Sequence, residues 1–214
     1  MSPIRLSARL SAAVGAIALP VVLAACGAGD TQTSTDAGSG TSAGSAAEVS
    51  ADHNDADVRF AQMMIPHHQQ AVAMADLAVG RAVSPEVKEL ATQIRAGQDP
   101  EIATMSGFLQ AWGAEIPETG SMGGMDHGAM SGMDHSGMSG MMTPEQMRQL
   151  EQAGGPEFDH MWLQMMIAHH EGAVADARRE LDQGVNPAAK ALATQIINSQ
   201  TAEITRMQQL LQAG

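Results

Sequence analysis

This chain contains the same helix pair twice. The segment from Asp57 to Trp112 aligns without a gap on Asp159 to Gly214 at an offset of 102, and 26 of the 56 positions are identical. The best-kept stretch is QMMIPHH (Gln62 to His68) against QMMIAHH (Gln164 to His170), so two Met-Met and two His-His pairs recur in register. Soft sulfur and borderline imidazole repeated at helical spacing suit a transition metal, and the softness points to copper before iron.

Four long helical stretches are expected, in two pairs. Helix one spans roughly Asp55 to Arg81, where Phe60, Met64, His67, Ala71 and Met74, with Ala61, Ile65, His68, Val72, Ala75 and Val79, follow the helical period. Helix two begins at Ser84 as N-cap with Pro85 in the first position, and Asn186-Pro187 repeats the device. Aromatic residues are 2% of the chain and no alternating run appears, so strand signals are weak. The body over residues 52–214 is therefore expected to be an all-α four-helix bundle with approximate internal twofold symmetry, built from two helical hairpins.

The first 25 residues read as a lipoprotein signal peptide. Arg5 and Arg9 make a positive start, an apolar run from Leu10 to Leu23 follows, and Leu23-Ala24-Ala25-Cys26 looks like a lipobox. The run is shorter than the roughly 20 residues that span a bilayer, and Pro20 interrupts it. Residues 26–51 have the Gly, Ser, Thr and Ala composition of a flexible tether. The expectation is an extracytoplasmic body held to the cell membrane by a lipid anchor on Cys26 alone.

Cys26 is the single cysteine, which rules out a disulfide within the chain and leaves Met, His, Asp and Glu as metal ligands. Thioether forms no disulfide, so Met suits copper handling in an oxidising compartment. The formal charge of -13 becomes -15 without Arg5 and Arg9. So acidic a body repels nucleic acid and favours cations.

Between the hairpins, at about residues 114–142, lies a Met/His-rich insert. Met122, Met125, Met130, Met133, Met138, Met141 and Met142 sit with His127 and His135 among Gly, Ser, Asp and Ala. Methionine at that density in a Gly-rich loop has nothing to pack against, and it reads as a collector of soft monovalent metal, Cu(I) or Ag(I). The alternative is a low-complexity linker. Thr143-Pro144-Glu145-Gln146 then reads as a capping box that starts a short helix.

Adjacent helical residues point about 100° apart, so His67 and His68 do not chelate one ion together. Each instead has a thioether one turn back: Met63 with His67 and Met64 with His68, repeated as Met165 with His169 and Met166 with His170. On the partner helices Gln98, Glu101 and Met105 recur as Gln200, Glu203 and Met207. If these faces meet, the interior holds two related sets of N, S and O ligands, with Gln62 and Gln164 as hydrogen-bonding support. Asp57 and Asp159 read as N-terminal caps rather than ligands. The alternative is that the histidines are hydrogen-bonded core residues and the methionines packing.

The paired pattern of Asp57, Phe60, Met64, His67-His68 and Ala71, echoed by Asp159, Trp162, Met166, His169-His170 and Ala173, resembles the secreted bacterial family called domain of unknown function 305. The resemblance covers about residues 52–214. It implies a ferritin-like four-helix fold, export and, in some members, periplasmic copper binding and copper resistance. The Met-rich insert is not part of that family's core pattern.

A ferritin-like fold raises the rival of a di-iron oxidase, whose sites repeat a Glu-x-x-His motif. This chain has that spacing once, Glu157 to His160, where the first half has Asp55 and Val58. A second rival is a module that binds a protein and no metal. The sequence favours a non-enzymatic copper-binding protein for sequestration or delivery, in which the methionines favour Cu(I) while histidine and carboxylate also suit Cu(II). Its partners are then the metal ion, the membrane through its anchor, and a copper donor or acceptor protein. Cys26→Ser should abolish incorporation of labelled palmitate and leave the precursor uncleaved, whereas a wild type that takes up no label has no lipid anchor.

Overall fold

The computed structural model describes residues 50–117 and 139–213. The signal peptide, Cys26, the tether, and insert residues Met122, Met125, His127, Met130, Met133, His135 and Met138 lie outside the described residues. The described part is all-α, with α1 (Asp55–Arg81), α2 (Pro85–Trp112), α3 (Pro144–Gln152), α4 (Gly155–Gln183) and α5 (Pro187–Ala213). None of these helices is long and apolar enough to cross a membrane.

Local chemistry sets the helix starts. Asn54 caps α1 in a reciprocal box with Asp57, Ser84 accepts from the Val87 amide with Pro85 behind it, and Thr143 and Gln146 form the box of α3. The Asn186 side chain accepts from the amides of Ala188 and Ala189 to begin α5. Gly113, at φ 66°, ends α2 in the left-handed region that glycine enters without strain.

Helices α1 and α2 form one hairpin and α4 and α5 the other, with α1 against α4 and α2 against α5 closing a ferritin-like four-helix bundle. Fully buried alanines, among them Ala61, Ala71, Ala75, Ala91, Ala173, Ala177, Ala189 and Ala193, line the contacts and let the backbones approach closely. Larger side chains fill the space between, and the buried Trp162 indole donates to the Met74 carbonyl at 2.8 Å. Leu150 of the short α3 and Ala153 just after it join the buried cluster that holds Phe158, Trp162 and Met74, and burial of Leu150 alone stabilises by about 2 kcal/mol.

Two carboxylates tie the hairpins together across the approximate twofold axis. Asp57 Oδ1 accepts from the amides of Val185 and Asn186 at 3.1 and 2.9 Å, in the turn between α4 and α5. Asp159 accepts from the amides of Val83 and Ser84 at 3.0 and 2.7 Å, in the turn between α1 and α2. Burial opposes ionisation of Asp57, but hydrogen bonds from the amides of Asn54, Asn186 and Val185 and from Glu180 hold its pKa below the usual value. The reading of both aspartates as caps needs correction. Asp57 caps its own helix and also grips the opposite turn, whereas Asp159 only grips, because α4 starts at Gly155 without a side-chain cap.

Asp159→Ala removes two charge-assisted bonds from the part-buried amides of Val83 and Ser84, so it should lower stability by about 2 kcal/mol. Urea unfolding followed by circular dichroism measures this, and a loss below about 0.5 kcal/mol would mean the tie contributes nothing beyond surface scatter.

Candidate metal centre

Two apolar clusters make the core, and every long helix passes from one to the other. The residues between them are polar on all four: His67 and His68 on α1, Gln98 and Glu101 on α2, His169 and His170 on α4, Gln200 and Glu203 on α5. All are buried except Glu203, which is half-buried. The repeat thus builds a polar layer across the middle of the bundle.

Within that layer the carboxylate faces meet the histidine faces. His68 Nε2 donates to Glu101 Oε2 at 2.7 Å, and His170 Nε2 donates to Glu203 Oε2 at the same distance. A carboxylate only accepts, so Nε2 carries a proton, and in the neutral tautomer Nδ1 keeps the lone pair. Neither Nδ1 has a hydrogen-bond partner among the described residues. Glu101 is further fixed by Gln195 Nε2, which donates to Oε1 at 3.1 Å from the other hairpin. A carboxylate that orients an imidazole through one nitrogen while the other stays open is the arrangement found behind histidine metal ligands.

His67 and His169 do not join those pairs. Each is the other's twofold mate, and their rings meet where α1 passes α4, with centroids 3.8 Å apart and planes at 41°. His67 Nε2 donates to the Ser139 carbonyl at 3.1 Å, while its Nδ1 and both nitrogens of His169 have no partner among the described residues. Burial, with His68 and His170 as like-charged neighbours, pushes His67 down to about 3. Burial and the surrounding histidines hold His169 well below its ordinary value. Both rings are therefore neutral near pH 7, the form that coordinates a metal.

The expected pair of ligand sets becomes three places, two carboxylate–histidine pairs and a histidine–histidine contact between them. Met64 and Met105, and their mates Met166 and Met207, are buried one turn from His68, Glu101, His170 and Glu203 on the same helix faces. Among the described residues no three of His, Cys, Asp and Glu converge on one point, so no closed cage of the structural-zinc kind is preformed. The buried thioethers one turn away are donors of the kind that suits a soft ion.

Several sequence-based assignments change. Met63 is only half-buried and lines an outer groove of about 350 Å³ with Arg59, Phe60, Asp176, Arg179 and Glu180. Met165 is likewise half-buried and packs on the apolar core. Gln62 donates to the Glu115 carbonyl, and Gln164 is exposed, so neither supports the histidines. The insert was expected to have nothing to pack against, yet Met142 is 8% exposed within the core and Met141 is half-buried. Glu157 and His160, the lone di-iron spacing, are exposed. Sequence reasoning missed Glu180, where burial and the adjacent Asp57 raise the pKa to about 8. Its twofold mate is Ala78, so comparison of the repeats offered no signal.

A family model described as domain of unknown function (DUF305) matches residues 57–211. The structure of a secreted DUF305 protein from Streptomyces coelicolor superposes with a TM-score of 0.63 at 32% identity, covering 74% of this chain and 91% of that one. CopM in its Cu(II)-bound form superposes with a TM-score of 0.59 at 34% identity over 73% of this chain and 96% of that one, and CopM is also known in Cu(I)- and Ag-bound forms. An uncharacterized protein, L153, of Acanthamoeba polyphaga mimivirus is 40% identical over 53 residues, 25% of this chain and 35% of that protein. The chain therefore spans about a third of that curated relative.

The depressed pKa values of His67 and His169 also bear on how the apo-fold responds to acid. In the unfolded chain His67 and His169 bind protons below about 6.5, but in the folded chain His67 stays neutral until about pH 3 and His169 is held neutral well below its ordinary value. The unfolded state thus takes up more protons in that window, and the apo-fold should lose stability as pH falls from 6.5 towards 3. A His67→Gln, His169→Gln protein should show a flatter fall of melting temperature with acid, and equal slopes in both proteins would show that these rings do not titrate this way.

Proposed function

This chain belongs to the DUF305 family, and from that membership and the polar layer we propose that it is an extracytoplasmic, lipid-anchored protein that binds copper for sequestration or delivery. The observation that carries the reading is the set of four buried imidazoles, each with at least one ring nitrogen that has no hydrogen-bond partner among the described residues. Leaving such groups unmatched costs about 1–3 kcal/mol each, a cost that a core built only for stability would avoid. A bound ion offsets it.

Copper is favoured by the company these rings keep. Buried thioethers of Met64, Met105, Met166 and Met207 lie on the same faces, and no thiolate is present among the described residues to draw zinc. The CopM neighbours, crystallised with copper and silver, support carrying this chemistry to the present chain. Neutral imidazole and thioether bind Cu(I) without first releasing a proton, and Glu101 and Glu203 keep Cu(II) accessible as well. Such a site holds an ion rather than transforming a substrate. The Met- and His-containing insert then serves as a second, looser reservoir, with Met122, Met125, His127, Met130, Met133, His135, Met138 and Met141 as its donors. The signal sequence and Cys26 would place all of this outside the cytoplasm, where a thioether ligand outlasts a thiol.

A protein lacking residues 118–138 isolates the bundle. The deletion must stop there, because Met142 belongs to the core. This shortened protein should still bind copper after dialysis and elemental analysis. His68→Gln with His170→Gln should remove most of that copper while the helical signal persists, since an amide still donates to Glu101 and Glu203. Copper-free wild-type bundle would return the histidines to a structural role.

A further inference from the structure

His67 and His169 are 1% and 0% exposed, and a short strand of chain from Ser139 to Met142, a turn and loop rather than a β-strand, returns from the insert to α3 across the His67 ring and against the backbone of Ala168 and His169. Two residues seat that strand, Gln70 and Gly172, which are twofold mates and differ between the repeats. Gln70 Nε2 donates to the Met142 carbonyl at 2.9 Å and Gln70 Oε1 accepts from the Met142 amide at 2.6 Å. A glycine here would leave both backbone groups unpaired.

Gly172 does the complementary work. A Cβ at that position would lie 1.9 Å from the Ser139 carbonyl oxygen and 2.9 Å from Gly140 Cα, backbone atoms that have no side-chain freedom to yield. Gly140 itself has φ 81°, and a Cβ there would stand 2.5 Å from the Ala168 carbonyl oxygen. A glutamine at 172, as the first repeat has at this point, would shut the strand out. The repeat is therefore broken at the two positions that lay this strand on the histidine pair.

We propose that Gln70 and Gly172 are positioning residues that govern how fast a soft metal ion enters and leaves the His67–His169 pair. The inference rests on the reading that the bundle histidines bind metal. With the strand seated, its backbone blocks the α1/α4 face and the Ser139 carbonyl holds one His67 nitrogen. An ion reaching the rings from that face must wait for the strand to lift, which breaks the His67 bond and both Gln70 bonds. The grip of Gln70 thus sets the exchange rate more than the affinity, because the rings themselves are untouched by it.

Ag(I) serves as a redox-inert probe on the full chain. Histidine side-chain ¹H–¹⁵N spectra identify metal on the His67 and His169 rings, and chelator competition with thiosulfate times its release. Gln70→Ala and Gly172→Ala should each speed release from these rings by about tenfold, the effect of one to two lost hydrogen bonds, with unchanged stoichiometry at saturation. Gln70→Glu, which keeps the acceptor but loses the donor, should fall between wild type and Gln70→Ala. Equal release rates in wild type, Gln70→Ala and Gly172→Ala would overturn the proposal. Failure of the underlying reading shows differently, as wild-type rings whose spectra do not change when Ag(I) is added.

Discussion

The structure depends on one arrangement, a layer of buried imidazole, carboxylate and amide groups held between two apolar clusters. The clusters supply the non-directional attraction that brings four helices together. The layer supplies direction. Sliding α1 by one turn along α2 would take His68 away from Glu101 and leave the buried ring without its carboxylate, a penalty of several kcal/mol in a domain whose net stability is of similar size. The same holds for His170 and Glu203. Packing of alanine and methionine alone would tolerate several registers, because small and flexible side chains specify little.

Symmetry explains why the four histidines of the layer form three groupings rather than four. Positions away from the axis occur twice, and they give the two carboxylate–histidine pairs. A position at the axis meets its own copy, and His67 therefore faces His169 rather than a glutamate. Burial in a dry interior, reinforced by the neighbouring histidines, is why their neutral forms persist so far below the usual range. On the copper-binding reading proposed above, the cost of an unprotonated, unpartnered ring in the apo-protein would be offset when an ion binds.

Departures from symmetry are as informative as the repeat. The groove between the start of α4 and the end of α1 is apolar and filled by α3, whereas the equivalent groove is lined by Arg59, Asp176, Arg179 and Glu180 and left open. Residues Met74, Leu77 and Ala78 of the first groove stand where Asp176, Arg179 and Glu180 stand in the second. The insert returns on the α3 side, so one duplicated surface became interior and the other remained facing water. Gln70 and Gly172 diverged for the same reason, since only one strand crosses the axis and its two neighbours must play unlike parts.

Much of this was legible from residues alone. The duplication required two equal hairpins, Ser84-Pro85 and Asn186-Pro187 marked the second helix of each, and the spacing of His68 with Met64 and Glu101 with Met105 gave the faces that later proved to meet. These are properties of a single helix and its ends, set within a few residues of one another. What the sequence left open all lay between elements. That Asp57 and Asp159 reach across to the opposite turns, that His67 finds its own copy, and that Met142 leaves the insert for the core are decided by which helix lies beside which. A helical repeat determines what each face offers, but only the packed bundle determines which face receives it, because contacts across some hundred residues of chain follow from burial of the whole and not from any local pattern.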